Sequence, residues 1–286
     1  MSTYDSILVA VDGSDPARAG AHQAIRFAAG FDAAVTGLQV LEEPSWDGKV
    51  DRKPSPDEEA EAALESLKLA AADADVSCQT MVKRGTPHEV IASTADELGA
   101  DLVAMGTHGR TGVEGLLIGS VADRTLRTSD VPVLTTPDGP FAGELDSVLV
   151  AVDGSDPAAA ATDHALAIAD RFDATLHVVS AVYVQSMAGT YGGASVIPTV
   201  VESITDQHQG LVDEVADRAE GRGIDAVTAV PNGRPATAIR EHVEDHDIDL
   251  VTMGTHGHGG LKRYLLGSIA ERTVRTSPAP VMAVPP

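Results

Sequence analysis

The chain has 286 residues, a length that predicts two domains rather than one. Its formal net charge of −23 is spread evenly: residues 1–140 hold 23 acidic and 11 basic side chains, and residues 141–286 hold 20 and 9. This distribution excludes an acidic tail, and it disfavours nucleic acid and anionic membranes as partners because a polyanion repels them. The single cysteine, Cys78, excludes an internal disulfide and a cysteine-based zinc site.

The composition also bears on the source and the location of the protein. So acidic a surface suits concentrated salt, where the Debye length falls to about 3 Å at 1 M and self-repulsion is screened. We therefore expect a halophilic microbial source. The start "MSTYDS" lacks the basic and apolar regions of a signal peptide, and no apolar run approaches membrane-spanning length. These features predict a cytoplasmic protein.

An internal repeat organises the chain. Residues 6–17, "SILVAVDGSDPA", recur at 147–158 with one difference in twelve. The offset between the copies is 141 residues there and 148 residues later, so the second copy holds seven extra residues, which we place in the Gly-rich stretch 183–199. The segment 136–144, rich in Pro and Gly, is typical of a linker. We predict domains at 1–140 and 141–286.

Short apolar runs alternate with helical patterns in both copies. A helix capped by Ser14 shows buried-type spacing in a set of apolar residues: Ala17, Ala21, Ala24, Ile25 and Ala28. The elements predicted for the first copy are strand 7–12, the helix after Ser14, strand 34–41, helix 57–73, strand 76–82, a helix after 85–87, strand 101–106, a helix from Gly119 and strand 132–136. The second copy repeats this order. Such alternation predicts an α/β fold with two doubly wound, five-stranded parallel sheets.

A glycine spacing recurs at the predicted ligand edge of each sheet. It reads G-x2-G-x9-G-S at Gly106, Gly109, Gly119 and Ser120 and again at Gly254, Gly257, Gly267 and Ser268. Glycine lets a ligand approach the backbone closely, and free amides at a helix start attract anions such as a triphosphate. The alternative is structural: Ser120 with Asp123, and Ser268 with Glu271, match a capping box that needs no ligand.

One aspartate ends the first strand of each copy, and it is open to two interpretations, as are several other residues. Asp12 and Asp153 suit a hydrogen bond to a ribose or adenine, or simply an Asp-Gly turn. Arg110 follows the second glycine and suits a phosphate contact, whereas His258 replaces it in the second copy. Arg124 and Arg272 are expected to pair with acids of their own helix.

A zinc site is a weaker alternative. His242 and His246 offer nitrogen atoms on one helix face, but a third ligand, His256 or His258, would be needed. An exposed helix face explains the pair without a metal. We therefore predict no metal site and no catalytic residue.

Together "SILVAVDGS", the "GxP" helix start, "DLVAMGTHGR", the glycine spacing and the closing "PVL" resemble the universal stress protein family, in a tandem two-domain form. The resemblance implies strand order 3-2-1-4-5 and an ATP-binding branch in which the first-strand Asp and a second-strand Val hold adenosine. It also implies that the Gly-rich loop with its Gly-Ser holds the phosphates. The residues so implicated are Asp12, Val40, Gly106, Gly109, Gly119 and Ser120, then Asp153, Gly254, Gly257, Gly267 and Ser268. Ala181 stands where the first copy has Val40.

The resulting expectation is a regulatory protein that binds ATP, ADP or AMP, with Mg²⁺ as a companion ion and at most slow hydrolysis. The resemblance further implies pairing of the two domains through their last strands, with a homodimer and an unidentified regulatory partner as additional expectations. Two alternatives stay open. One is an interaction module of the same fold without nucleotide. The other is a nucleotidyltransferase-type enzyme, although its H-x-G-H signature is missing near the first strand.

Overall fold

The computed structural model describes residues 4–42, 56–109, 118–137, 144–183, 198–257 and 266–286. The chain divides into two compact units, Thr3–Ala142 and Gly143–Pro286, here called domain 1 and domain 2. Most of the predicted linker and of the stretch 183–199 lies outside the described residues.

Domain 1 is a parallel sheet with helices between its strands. The sheet order is β3-β2-β1-β4-β5, the predicted order 3-2-1-4-5. The strands are β1 (Ser6–Val11), β2 (Ala34–Leu41), β3 (Cys78–Arg84), β4 (Leu102–Gly106) and β5 (Val133–Thr136). The helices are α1 (Asp15–Phe31), α2 (Pro56–Asp73), α3 (Pro87–Leu98) and α4 (Ser120–Thr128). The third strand begins two residues later than predicted.

Domain 2 repeats this arrangement, with the order β8-β7-β6-β9-β10. Its strands are β6 (Ser147–Ala151), β7 (Thr175–Val179), β8 (Ala226–Ala229), β9 (Leu250–Gly254) and β10 (Val281–Val284). Its described helices are α5 (Asp156–Phe172), α6 (Pro198–Glu220), α7 (Pro235–Asp245) and α8 (Ser268–Thr276). The predicted α/β fold with two five-stranded parallel sheets is therefore confirmed.

The first helix of each domain begins as its sequence dictates. Ser14 has extended backbone angles and accepts a hydrogen bond from the amide of Ala17, and Ser155 caps α5 in the same way. Proline in the first turn supports both helix starts because its missing N–H would have no partner there. All five apolar positions predicted to face the core in α1 are buried.

A glycine at the end of the fourth strand lets this helix approach the sheet. A Cβ atom at Gly106 would lie 2.6 Å from the carbonyl carbon of Pro16 and 2.8 Å from the amide nitrogen of Ala17. A Cβ atom at Gly254 would lie 2.8 Å from the carbonyl carbon of Pro157. Backbone therefore packs against backbone here, and this packing alone requires glycine at both positions.

An aspartate at the opposite edge ties the fourth strand to the first. Oδ2 of Asp101 accepts hydrogen bonds from the amides of Asp5 and Ser6, each at 2.9 Å. Asp249 binds the amides of Asp146 and Ser147 in the same manner. Both copies thus set the register between these strands with a side chain as well as with the sheet ladder.

We expect Gly254→Ala to destabilise domain 2 by roughly 1–3 kcal/mol, because the added methyl group must push α5 away from β9. The matched control is Gly210→Ala, in α6, where an added Cβ meets nothing within 4 Å. That substitution should stabilise by about 0.5–1 kcal/mol through helix propensity. Urea unfolding followed by circular dichroism measures both changes, and equal effects of the two variants would contradict the packing role.

Candidate functional site

The predicted site residues gather at the carboxyl edge of each sheet. Asp12 directly follows β1, Gly106 ends β4, and α4 begins at Ser120. In parallel α/β sheets, ligands bind beyond the carboxyl ends of the strands where the strand order reverses. Here that point lies between β1 and β4. The chain continues from β1 to β2 on one side of this point and from β4 to β5 on the other side.

The aspartate after the first strand is held by the helix start beside it. Oδ1 of Asp12 accepts hydrogen bonds from the amide of Ser14 at 2.9 Å and from its hydroxyl at 2.5 Å. Oδ2 faces the loop, since a Cβ atom at Gly109 would lie 2.7 Å from it. Only glycine therefore fits beside this carboxylate without displacing it.

Domain 2 reproduces this geometry closely. Oδ1 of Asp153 accepts from the amide of Ser155 at 3.0 Å and from its hydroxyl at 2.5 Å. A Cβ atom at Gly257 would again lie 2.7 Å from Oδ2. The second glycine of each spacing thus adjoins a carboxylate with a defined orientation.

The helix after the glycine loop begins without a side-chain cap. The N-cap of α4 is Gly119, whose own amide donates to the carbonyl of Thr107 at 2.9 Å. Gly267 caps α8 in the same way, with its amide 2.8 Å from the carbonyl of Thr255. Among the described residues, no side chain caps either helix, so amides of the first turn lack the acceptor that a capping residue supplies.

The capping-box alternative is therefore wrong for both domains. Ser120 and Ser268 are the first residues of α4 and α8 rather than their N-caps, because the backbone turns into each helix at the preceding glycine. The Asp123 side chain forms a two-pronged ion pair with Arg127 on the next turn. Arg127 rather than Arg124 pairs with this acid, and the Arg124 side chain is exposed.

A cavity of about 500 Å³ opens beside these residues in domain 2. All five residues predicted for this copy line it: Asp153, Gly254, Gly257, Gly267 and Ser268. Ala181, which replaces Val40, also lines the cavity, with Val152, Val179, Ile239 and Met253 among its apolar walls. The volume lies within the roughly 300–1,000 Å³ range of small-molecule sites. Such sites are typically lined by apolar side chains together with a few polar groups.

Domain 1 carries the same set of residues on equivalent elements. Asp12, Gly106, Gly109, Gly119 and Ser120 occupy the positions just described, and Val40 is a half-buried residue near the end of β2. Arg110 and His258, which follow the second glycine in each copy, lie outside the described residues.

Sequence reasoning did not assign the histidine of either glycine loop, His108 or His256, to the candidate nucleotide site. Nδ1 of His108 lies 3.0 Å from the Thr107 hydroxyl, and Nδ1 of His256 lies 2.9 Å from that of Thr255. Among the described residues, the buried Nε2 atoms of both histidines find no hydrogen-bond partner. His256 lines the cavity, so its Nε2 is suited to meet a polar ligand atom. The repeated triplet Thr-His-Gly was the available signal.

The cavity of domain 2 is also lined by a histidine from α6, His208. The Ser180 hydroxyl donates to the carbonyl of Val152 at 2.6 Å, so it must accept from Nδ1 of His208 at 2.8 Å. This leaves Nε2 as an acceptor. Burial lowers the pKa of His208 despite the opposing charge of Asp153, which keeps the ring neutral near pH 7.

No helix in the described parts of the chain is both long and apolar enough to cross a bilayer.

The model of the "Universal stress protein family" matches residues 3–137 and again 144–285. The chain is 35% identical over 137 residues to universal stress protein MJ0531 of Methanocaldococcus jannaschii, covering 48% of this chain and 80% of that protein. It is 26% identical to a universal stress protein of Mycolicibacterium smegmatis, covering 100% of this chain and 98% of that one.

Among solved structures, the fold is similar to that of a universal stress protein from Archaeoglobus fulgidus. The TM-score is 0.74 at 21% identity, and the alignment covers 98% of both chains. This likeness supports the fold over the full length, and the family model matches each domain separately. The chain therefore belongs to the universal stress protein family, of which it carries two domains in tandem.

Proposed function

We propose that each domain binds an adenine nucleotide at the carboxyl edge of its sheet, and that the protein is an ATP-binding regulator of a stress response. The observation that carries the proposal is the domain 2 cavity, because all five residues predicted from the glycine spacing and the first strand line it. Domain 1 carries the corresponding aspartate, glycines and serine on equivalent elements.

The helix start and the loop glycines suit the phosphates. In the part of the chain that the structure describes, the first-turn amides of α4 and α8 have no side-chain cap, and the helix dipole places partial positive charge there. A protein with a net charge of −23 repels a free polyphosphate at long range. At short range, backbone dipoles hold an anion without any basic side chains. The acidic surface that concentrated salt favours can therefore stay as it is.

The remaining cavity walls suit the nucleoside. The apolar residues Val152, Val179 and Ile239 offer a surface for the adenine ring, while the Asp153 carboxylate accepts a hydrogen bond from a ribose hydroxyl. Ala181 is smaller than Val40, so the two domains shape this wall differently. His208 adds an acceptor in domain 2, and we expect the two sites to differ in affinity.

Mg²⁺ fits this donor set, because that ion is usually held by one or two carboxylates together with substrate phosphates. Asp12 or Asp153 would hold it, and the ion would neutralise part of the phosphate charge. Asp153 is the one carboxylate among the described residues that line the cavity. We therefore expect at most slow ATP hydrolysis, since a paired metal site is missing from the described residues that line the cavity. A cytoplasmic location, a halophilic source and a homodimer stay predictions.

We expect ATP, ADP or AMP at about 100 times its Kd to stabilise each domain that binds it by about 2.7 kcal/mol. Thermal unfolding in high salt, with and without Mg²⁺, measures this shift, and isothermal titration gives the number of sites. A lack of any shift with all three nucleotides would favour the interaction module. Rapid steady-state hydrolysis would favour the enzyme.

A second prediction separates the local carboxylate from the overall charge. Asp153→Asn should weaken nucleotide binding at domain 2 about tenfold or more, because a charged acceptor is lost from a partly buried site. Asp170→Asn makes the same change in charge at an exposed position near the far end of α5, so it should bind like the wild type. Titration calorimetry resolves the two sites. Equal affinities in these variants would contradict the role of Asp153.

A further inference from the structure

Three histidines of domain 2 come together away from the cavity. His177 lies buried in β7, His242 is half-buried in α7, and His246 follows that helix with an exposed side chain. One nitrogen atom of each ring lies within 4.8 Å of those of the other two. Nδ1 of His177 and Nε2 of His242 are 3.0 Å apart and share a hydrogen bond, which a bound metal ion would replace. We call these residues the histidine cluster.

The spacing is close to that of a metal site. Zinc–nitrogen bonds of about 2.0–2.1 Å place two ligand nitrogen atoms of a tetrahedral site about 3.4 Å apart. The pair His177–His242 already lies within a few tenths of an ångström of that separation. His246 supplies the third nitrogen atom, within 4.8 Å of the other two, from an exposed position that gives an ion access from solvent.

The charge of the domain favours a cation. Residues 141–286 hold 20 acidic and 9 basic side chains, and this acidic excess attracts cations to the domain.

Domain 1 shows that the fold does not require these side chains. By the offsets of the repeat, the matching residues are Thr36, Thr94 and Leu98. Thr94 donates its hydroxyl to the carbonyl of Val90 within its own helix, so an ordinary small residue fills that place. Three separate positions therefore carry histidine in one copy and none in the other, and the three side chains meet in space.

We propose that His177, His242 and His246 form a site for a divalent transition-metal ion, with Zn²⁺ as the ion that fits best. Imidazole ligands suit zinc, and three protein nitrogen atoms leave the fourth tetrahedral position to water or to another ligand. The site is separate from the cavity, because among the described residues that line the cavity none is one of the three histidines. The sequence predicts no metal site and leaves zinc at the pair His242–His246, with His256 or His258 as the third ligand, as a weaker alternative. The structure brings His177 to that pair instead.

The test uses the full chain without a polyhistidine tag, freed of metal by EDTA and dialysed. Zn²⁺ is titrated in competition with a chromophoric chelator, and bound Co²⁺ is followed by its visible d–d absorption. We expect one ion per chain, with the Co²⁺ spectrum of a four-coordinate site. H246L, which installs the domain 1 residue at an exposed position, should weaken Zn²⁺ binding by about 100-fold or more.

Two further variants complete the experiment. The triple variant H177T/H242T/H246L carries all three domain 1 residues and should bind no ion, with circular dichroism confirming its fold. H22A removes an exposed histidine of α1 in domain 1 and should bind Zn²⁺ like the wild type. Less than half an ion per wild-type chain would overturn the site, as would equal affinities of H246L and H22A. If the triple variant does not fold, H246L alone decides.

Discussion

The close contact between the first helix and the end of the fourth strand determines the rest of the carboxyl edge. At Gly106 and Gly254 the strand backbone meets the helix backbone at distances that exclude any side chain. This contact fixes where the helix begins, and the helix start in turn orients Asp12 or Asp153 through two hydrogen bonds from a serine. The carboxylate then lies against the next glycine of the spacing. The close contact of helix and strand backbone thereby positions both the aspartate and the glycine loop beside it.

The same spacing therefore serves two physical purposes. Its first glycine has a complete explanation in helix–strand packing, whereas the later ones combine a close carboxylate with an uncapped helix start. An uncapped helix start costs stability unless water or a ligand satisfies the amides. That cost is easiest to understand if the amides have a ligand to bind, and an anion is the ligand that helix dipoles favour.

Duplication makes each domain a reference for the other. Features shared by both copies, such as the aspartate clamp at the opposite edge, can be requirements of the fold. Features present in only one copy cannot be requirements of the shared fold, because the other copy folds in the same way without them. His208 in the cavity and the histidine cluster belong to this second class. Domain 2 has thus acquired polar chemistry that the shared architecture does not need.

The sequence by itself determined the repeat, the alternation of strands and helices, and the residues at the carboxyl edge, because apolar periodicity and glycine spacing are local properties of the chain. The strand order came from the family resemblance and agrees with the structure. The start of β3 was misplaced by two residues, since this half-exposed edge strand has no continuous apolar run. Tertiary structure alone decided that Gly119 rather than Ser120 caps α4, because the cap depends on how the backbone enters the helix from the Thr107 contact. It also decided that His177 joins His242, since these residues lie 65 positions apart and only the packing of α7 against the sheet brings them together.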